Sequence, residues 1–111
     1  MTVTLKVLIP AKIAEAAQTT QYTATGVTTI IDKFTATNYS AAAATISVNL
    51  VTAADTAGNQ NLITKTKTLQ PAETYTFPEL VGHVLAASGF ISTIAGTATA
   101  INIRASGREV T

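Results

Sequence analysis

Thr45-Ile46-Ser47-Val48-Asn49-Leu50-Val51 is the stretch that decides the fold class. Ile46, Val48 and Leu50 alternate with Thr45, Ser47 and Asn49. A period of two marks a strand with one buried face. Just upstream, Ile30 to Asn38 has the same texture, with Phe34 and Ala36 on the inward parity. It is expected to be the hairpin partner, joined through Tyr39-Ser40-Ala41-Ala42-Ala43-Ala44. Four alanines are too few to nucleate a helix. Asp32 shares the parity of Phe34, so either the strand starts there or its alternation slips.

Downstream, Thr52 to Asn61 is a loop, and Leu62 to Gln70 is expected to be an edge strand. Its Thr64, Thr66 and Thr68 alternate with Lys65 and Lys67, neither face is strongly apolar, and edge lysines discourage unwanted pairing. Pro71-Ala72-Glu73 is a turn, and Thr74 to Phe77 a short strand burying Tyr75 and Phe77. Pro78 to Leu85 opens on Pro and Glu and spaces Leu80, Val81, Val84 and Leu85 as a helix would, which predicts one short helix. Phe90 to Ala95 and Ala98 to Ala105 read as a final hairpin around Gly96. Ala11 to Ala17, with Lys12 and Glu15 three apart, is compatible with a helical turn. The expected architecture is all-β: an antiparallel β-sandwich, jelly-roll or Ig-like, with one short helix and an N-terminal arm. Residues 1–20 are the arm or the first strand, and residues 21–111 are the sandwich domain.

Composition bounds the function. The 111 residues carry a net charge of +1, and only 12% are charged. That is half the roughly 25% of an ordinary globular domain. Twenty-two residues are Thr and twenty are Ala. Such a chain buries surface against partners or stays soluble through hydroxyls. The absence of Cys excludes a disulfide scaffold, a thiolate zinc site and a cysteine nucleophile. The balanced charge argues against a nucleic-acid binder. No apolar run is long enough to span a bilayer as a helix, and Met1 to Pro10 lacks the pattern of a secretory signal. A soluble protein made in a cytoplasm, with no membrane partner, is expected.

Catalytic material is sparse. His83 is the only His, with Glu79 the one acid nearby in sequence, so a plain surface or half-buried imidazole is the simpler account. Glu15, Asp32, Asp55, Glu73, Glu79 and Glu109 are scattered, mostly in turns or at element ends, which suits solvated surface. There is no G-x-S-x-G elbow and no glycine-rich phosphate loop. A lectin generally wants exposed aromatics for stacking, and the chain has no Trp. A non-enzymatic protein without cofactor or metal is therefore expected.

The signal that remains is the apolar run Val3, Leu5, Val7, Leu8 and Ile9. It forms the first strand, or it pairs with a neighbouring subunit by strand addition or swapping. In the second case, deleting residues 2–17 leaves the domain folded. Tyr22 and Tyr39 are further candidate contact residues.

Ile30-Ile31-Asp32-Lys33-Phe34-Thr35-Ala36-Thr37-Asn38 followed by Ser47-Val48-Asn49-Leu50-Val51 resembles small virion proteins of tailed bacteriophages. Ala72-Glu73-Thr74-Tyr75, the stretch Pro78 to Leu85, and Ile101 to Glu109 add to that resemblance, which covers roughly residues 18–109. It implies a β-sandwich that decorates or stabilises a capsid, located in the virion. The partner would be the major capsid protein or another virion protein, and the chain itself a homo-oligomer, dimer or trimer. A head–tail adaptor or a tail receptor-binding module, using the loop Thr52 to Asn61, is the alternative. No site residue carries over, because the resemblance has no defining motif.

Overall fold

A computed structural model describes residues 1–111. The chain is nearly all β, as two antiparallel sheets packed face to face. In chain order the strands are β1 (Val3–Ile13), β2 (Thr19–Thr23), β3 (Thr28–Asn38), β4 (Ala44–Val51), β5 (Leu62–Leu69), β6 (Thr74–Thr76), β7 (Val84–Leu85), β8 (Phe90–Ala95) and β9 (Ile101–Val110). The first sheet runs β1-β9-β3-β6, with β7 also pairing β3; the second runs β2-β8-β4-β5. If β6 and β7 share one strand position, this strand order is that of the jelly roll, the first of the two expected topologies.

Two expected hairpins are corrected by this order. β3 and β4 lie in opposite sheets, and so do β8 and β9. Period-two alternation says that a strand has one face to bury, not which strand lies beside it. Here the inward faces meet across the core: Phe34, Ala36, Ile101, Ile103 and Ala105 from one side, Ile46, Val48, Ile91 and Ala95 from the other. β5 does lie at a sheet edge.

The expected helix over Pro78 to Leu85 is also corrected. That segment is a series of turns ending in β7, and the one helical piece is a 3-10 turn at Asn59–Asn61. Gly82 at φ +87° breaks the run, and its N–H and the His83 carbonyl bond to Ile31 instead of closing a helix. Tertiary pairing outbids a weak local preference. Residues 11–17 form no helical turn either, although Lys12 and Glu15 do pair at 2.8 Å.

The N-terminal segment is the first strand of the sheet. β1 pairs β9 over its length and sends Leu8 and Ile9 into the core. Deleting residues 2–17 would open that core, so a clean truncation is not available.

The alternation of β3 does slip at Asp32. Ile31 pairs with Gly107 and Lys33 with Ser106, leaving Asp32 as the extra residue of a bulge. β1 slips on the other side of the same β9 residues: Val7 pairs with Ser106 and Ile9 with Ala105, leaving Leu8 extra. Two bulges thus flank Ser106-Gly107. A Cβ on Gly107 would stand 2.1 Å from the Ile30 carbonyl oxygen and 2.9 Å from Leu8 Cδ1. Gly107→Ala should therefore cost about 2–4 kcal/mol, the range of severe overpacking. Gly26→Ala, at φ +69° with nothing within 4 Å, should cost about 1–2 kcal/mol of backbone strain. Chemical denaturation of the two variants checks the order; equal losses would mean that the space under Gly107 is not tight.

Candidate functional site

The seven sequence candidates fall into three groups. Leu8 and Ile9 are in the core, 3% and 0% exposed, which removes them from any contact surface. The bulge accounts for both being buried in succession. Val3, Leu5 and Val7 stay at the surface, Leu5 most of all at 82% exposed. Their cross-strand partners are Val110, Arg108 and Ser106, so all three lie on the outer face of the first sheet. Arg108 grips Asp32 with two bonds, of 3.0 and 2.9 Å. The Arg108 guanidinium holds the Asp32 carboxyl below its ordinary range. A shallow trough lies there, lined by Leu5, Val7, Asp32 and Ser106. The patch is thus an apolar strip bordered by one neutralised ion pair and by two lysines without ionic partners, Lys6 at the trough and Lys33 beyond Ser106 in the Val7 row.

Tyr22 and Tyr39 do not join it. Tyr39 is exposed but follows the C-terminal end of β3, whereas Val3 sits beside the C-terminal end of β9, which pairs with the start of β3. The two are therefore at opposite ends of a molecule 46 Å long. Tyr22 is half-buried and bridges the sheets. Its hydroxyl donates to Glu109 at 2.5 Å and accepts from the Thr29 hydroxyl at 2.6 Å. Burial first, then the Glu109 carboxylate, push the phenol from its ordinary 10.0 up to about 12.

A second polar bridge closes the opposite flank. Glu79 accepts from Thr64 on β5 at 2.6 Å and from Tyr75 on β6 at 2.8 Å. Lys67 lies 4.6 Å above the Tyr75 ring. Burial works to raise the Glu79 pKa, but the bond from Thr64, its own backbone bond, the bond from Tyr75 and the Lys67 charge together bring it below its ordinary value. Sequence reading missed this cluster, because Thr64 and Glu79 are brought together only by the packing of the sheets.

His83 lines a cleft of about 320 Å³ with Leu50, Val51, Ile63, Val84 and Leu85, and no carboxylate lines it. No three His, Asp or Glu side chains gather as a metal-ligand group. Asp55 accepts from Thr56 N at 2.8 Å and organises its own exposed loop. That loop is tied down by Asn49, whose amide donates to Gly58 O and Asn61 Oδ1. Comparison with family models, with curated proteins and with solved structures finds no match for this chain.

The two bridges have opposite pH signatures. Tyr22 has a raised folded pKa, so its contribution is complete below pH 10 and is lost as pH rises toward 12. Tyr22→Phe should flatten the fall of stability over that window. Glu79 has a lowered folded pKa, so its contribution is present above the ordinary carboxylate range and lost as pH falls through the folded value. Glu79→Gln should flatten the acid limb, and it should also ease part of the alkaline limb, because the bond to Glu79 is what chiefly raises the Tyr75 phenol above its ordinary value. Urea midpoints measured across pH for both variants check this, and a wild-type slope retained by either would remove its bridge from the account.

Proposed function

We propose that this chain is a non-enzymatic structural protein of a bacteriophage virion, one that decorates the capsid and bridges neighbouring capsid subunits. The observation that carries the reading is the outer strip Val3, Leu5 and Val7, held exposed on the edge strand β1. Contiguous apolar surface of this kind marks contact sites. The sequence resemblance supplies the virion setting, and jelly rolls are common in capsid domains, which is an analogy of fold alone.

The mechanism is adhesion. Burying three partly exposed aliphatic side chains is worth on the order of 3–5 kcal/mol before the cost of association. One copy would bind weakly. Many copies on a repeating shell, or one oligomer across a symmetry axis, convert weak contacts into firm attachment. Shell stability then rises by mass action, because the intact shell binds the protein and the dispersed subunits do not.

Replacing Val3, Leu5 and Val7 together by Ser tests this without touching the core. The variant should fold, yet its co-sedimentation with shells of the phage that encodes it should fall at least tenfold. Tyr39→Ala should bind as the wild type does. Unchanged binding of the triple variant, or absence of the protein from purified virions, overturns the reading. Accumulation at a single vertex would replace it with the adaptor role.

A further inference from the structure

The open edge of β1 has a pattern of its own. Thr2 and Thr111 exchange both main-chain bonds, at 3.1 and 3.0 Å. In an antiparallel ladder such reciprocal pairs recur every second residue. Thr4 and Lys6, opposite Glu109 and Gly107, therefore turn their N–H and C=O groups toward β9. Val3, Leu5 and Val7 turn theirs to the open side. No strand covers that side, since β1 ends its sheet. Beyond Val7 the edge is spoiled, first by the bulge at Leu8 and then by Pro10, which has no N–H.

We propose that a second copy of this chain pairs antiparallel along β1, about a twofold axis at Leu5, so that the two first sheets continue into one. In this register Leu5 faces Leu5 of the second copy, and Val3 faces its Val7. Each of these pairs aligns the open donors and acceptors of both strands. The inference deepens the assembly reading and rests on it for what the joined apolar strips contact; the pairing itself needs no shell.

Charge favours this occupant and this register. Lys6 is exposed and has no ionic partner within its own chain. A lysine on an edge strand normally repels a second strand. Centring on Lys6 would set two lysines face to face, and centring on Val7 would bring Pro10 into the ladder opposite Thr4. Centring on Leu5 sets Lys6 against Thr4 of the second copy, with that copy's Glu109 one strand further along the same row. Two strand spacings are about 9.6 Å, which a Lys and a Glu side chain can span together. Glu109 uses Oε2 for Tyr22, and its other oxygen is free to accept. The twofold makes two such pairs. Arg108, already neutralised by Asp32, adds no repulsion.

Sedimentation equilibrium on the isolated full chain, at about 100 µM and low salt, tests this. The wild type should show twice the 11.4 kDa chain mass. Of the main-chain donors, Leu5→Pro removes only the outward N–H, so β1 should keep its bonds to β9 while the dimer is lost. Leu5→Lys places like charges at the axis; its side chain is exposed in the single chain, so folding is not at risk. It should weaken association at least tenfold at low salt and recover in part at 1 M salt. A wild type that stays monomeric at this concentration, or a dimer that survives both substitutions, overturns the proposal. A monomer whose shell binding is abolished by Leu5→Pro but kept by Leu5→Ser would assign the edge to a strand of the capsid protein instead. The assembly reading would then stand and this proposal fall.

Discussion

The first sheet depends on one close approach, that of the β9 backbone at Gly107 to the Ile30 carbonyl on one side and Leu8 on the other. Only a residue without a side chain allows it. With that contact in place, β1 and β3 each gain one extra residue at the same level of the ladder. Aligned bulges increase the local twist. They also let β3 bury Thr29 and Ile31 before the bulge and Phe34 and Ala36 after it, on one face. The same shift frees Asp32 to meet Arg108 outside and drives Leu8 inside while leaving Val3, Leu5 and Val7 out. The exposed apolar strip is thus a by-product of how the sheet is bent.

A core with so few large side chains needs other supports. Phe34, Phe77 and Tyr75 stack edge to face at 4.9 and 4.7 Å, and they are the main aromatic mass between the sheets. Around them the chain uses polar side chains as ties. Asn38 is fully buried; its amide donates to Ala42 O and Leu69 O, and its carbonyl accepts from Ser40. One residue thereby fastens two of the links that cross between sheets. Tyr22 and Glu79 do the same at the flanks. No buried side-chain polar atom lacks a partner, which is what makes a hydroxyl-rich interior tolerable, since each orphan would cost about 1–3 kcal/mol. The abundance of Thr therefore has a structural use besides solubility.

Fold class was legible because alternation is a property of single strands. Ile46, Val48 and Leu50 sufficed to show a sandwich face, and the slip at Asp32 was visible as a parity conflict. Strand partners were not legible. β3 and β4 are adjacent in sequence, but their apolar faces are satisfied better across the core than side by side. The false helix at Pro78 to Leu85 shows the same limit: the spacing of Leu80, Val81, Val84 and Leu85 fits a helix, yet the backbone is claimed by β3. At the candidate site, Val3, Leu5 and Val7 could be named from their apolar character. Their separation from Leu8 and Ile9 could not, because it follows from a bulge set by Gly107, about a hundred residues away in the sequence. Tyr22 looked like a contact residue only because its partners, Thr29 and Glu109, meet it in space alone.

The proposed pairing needs β1 to offer a usable edge to another molecule. Residue-resolved amide hydrogen exchange of the intact protein, at low and high concentration, tests it most directly. If the edge is used, Thr4 and Lys6 are protected throughout, while Val3, Leu5 and Val7 exchange fast when dilute and slowly when concentrated. Fast exchange of Val3, Leu5 and Val7 at every concentration, with and without capsid shells, would contradict it.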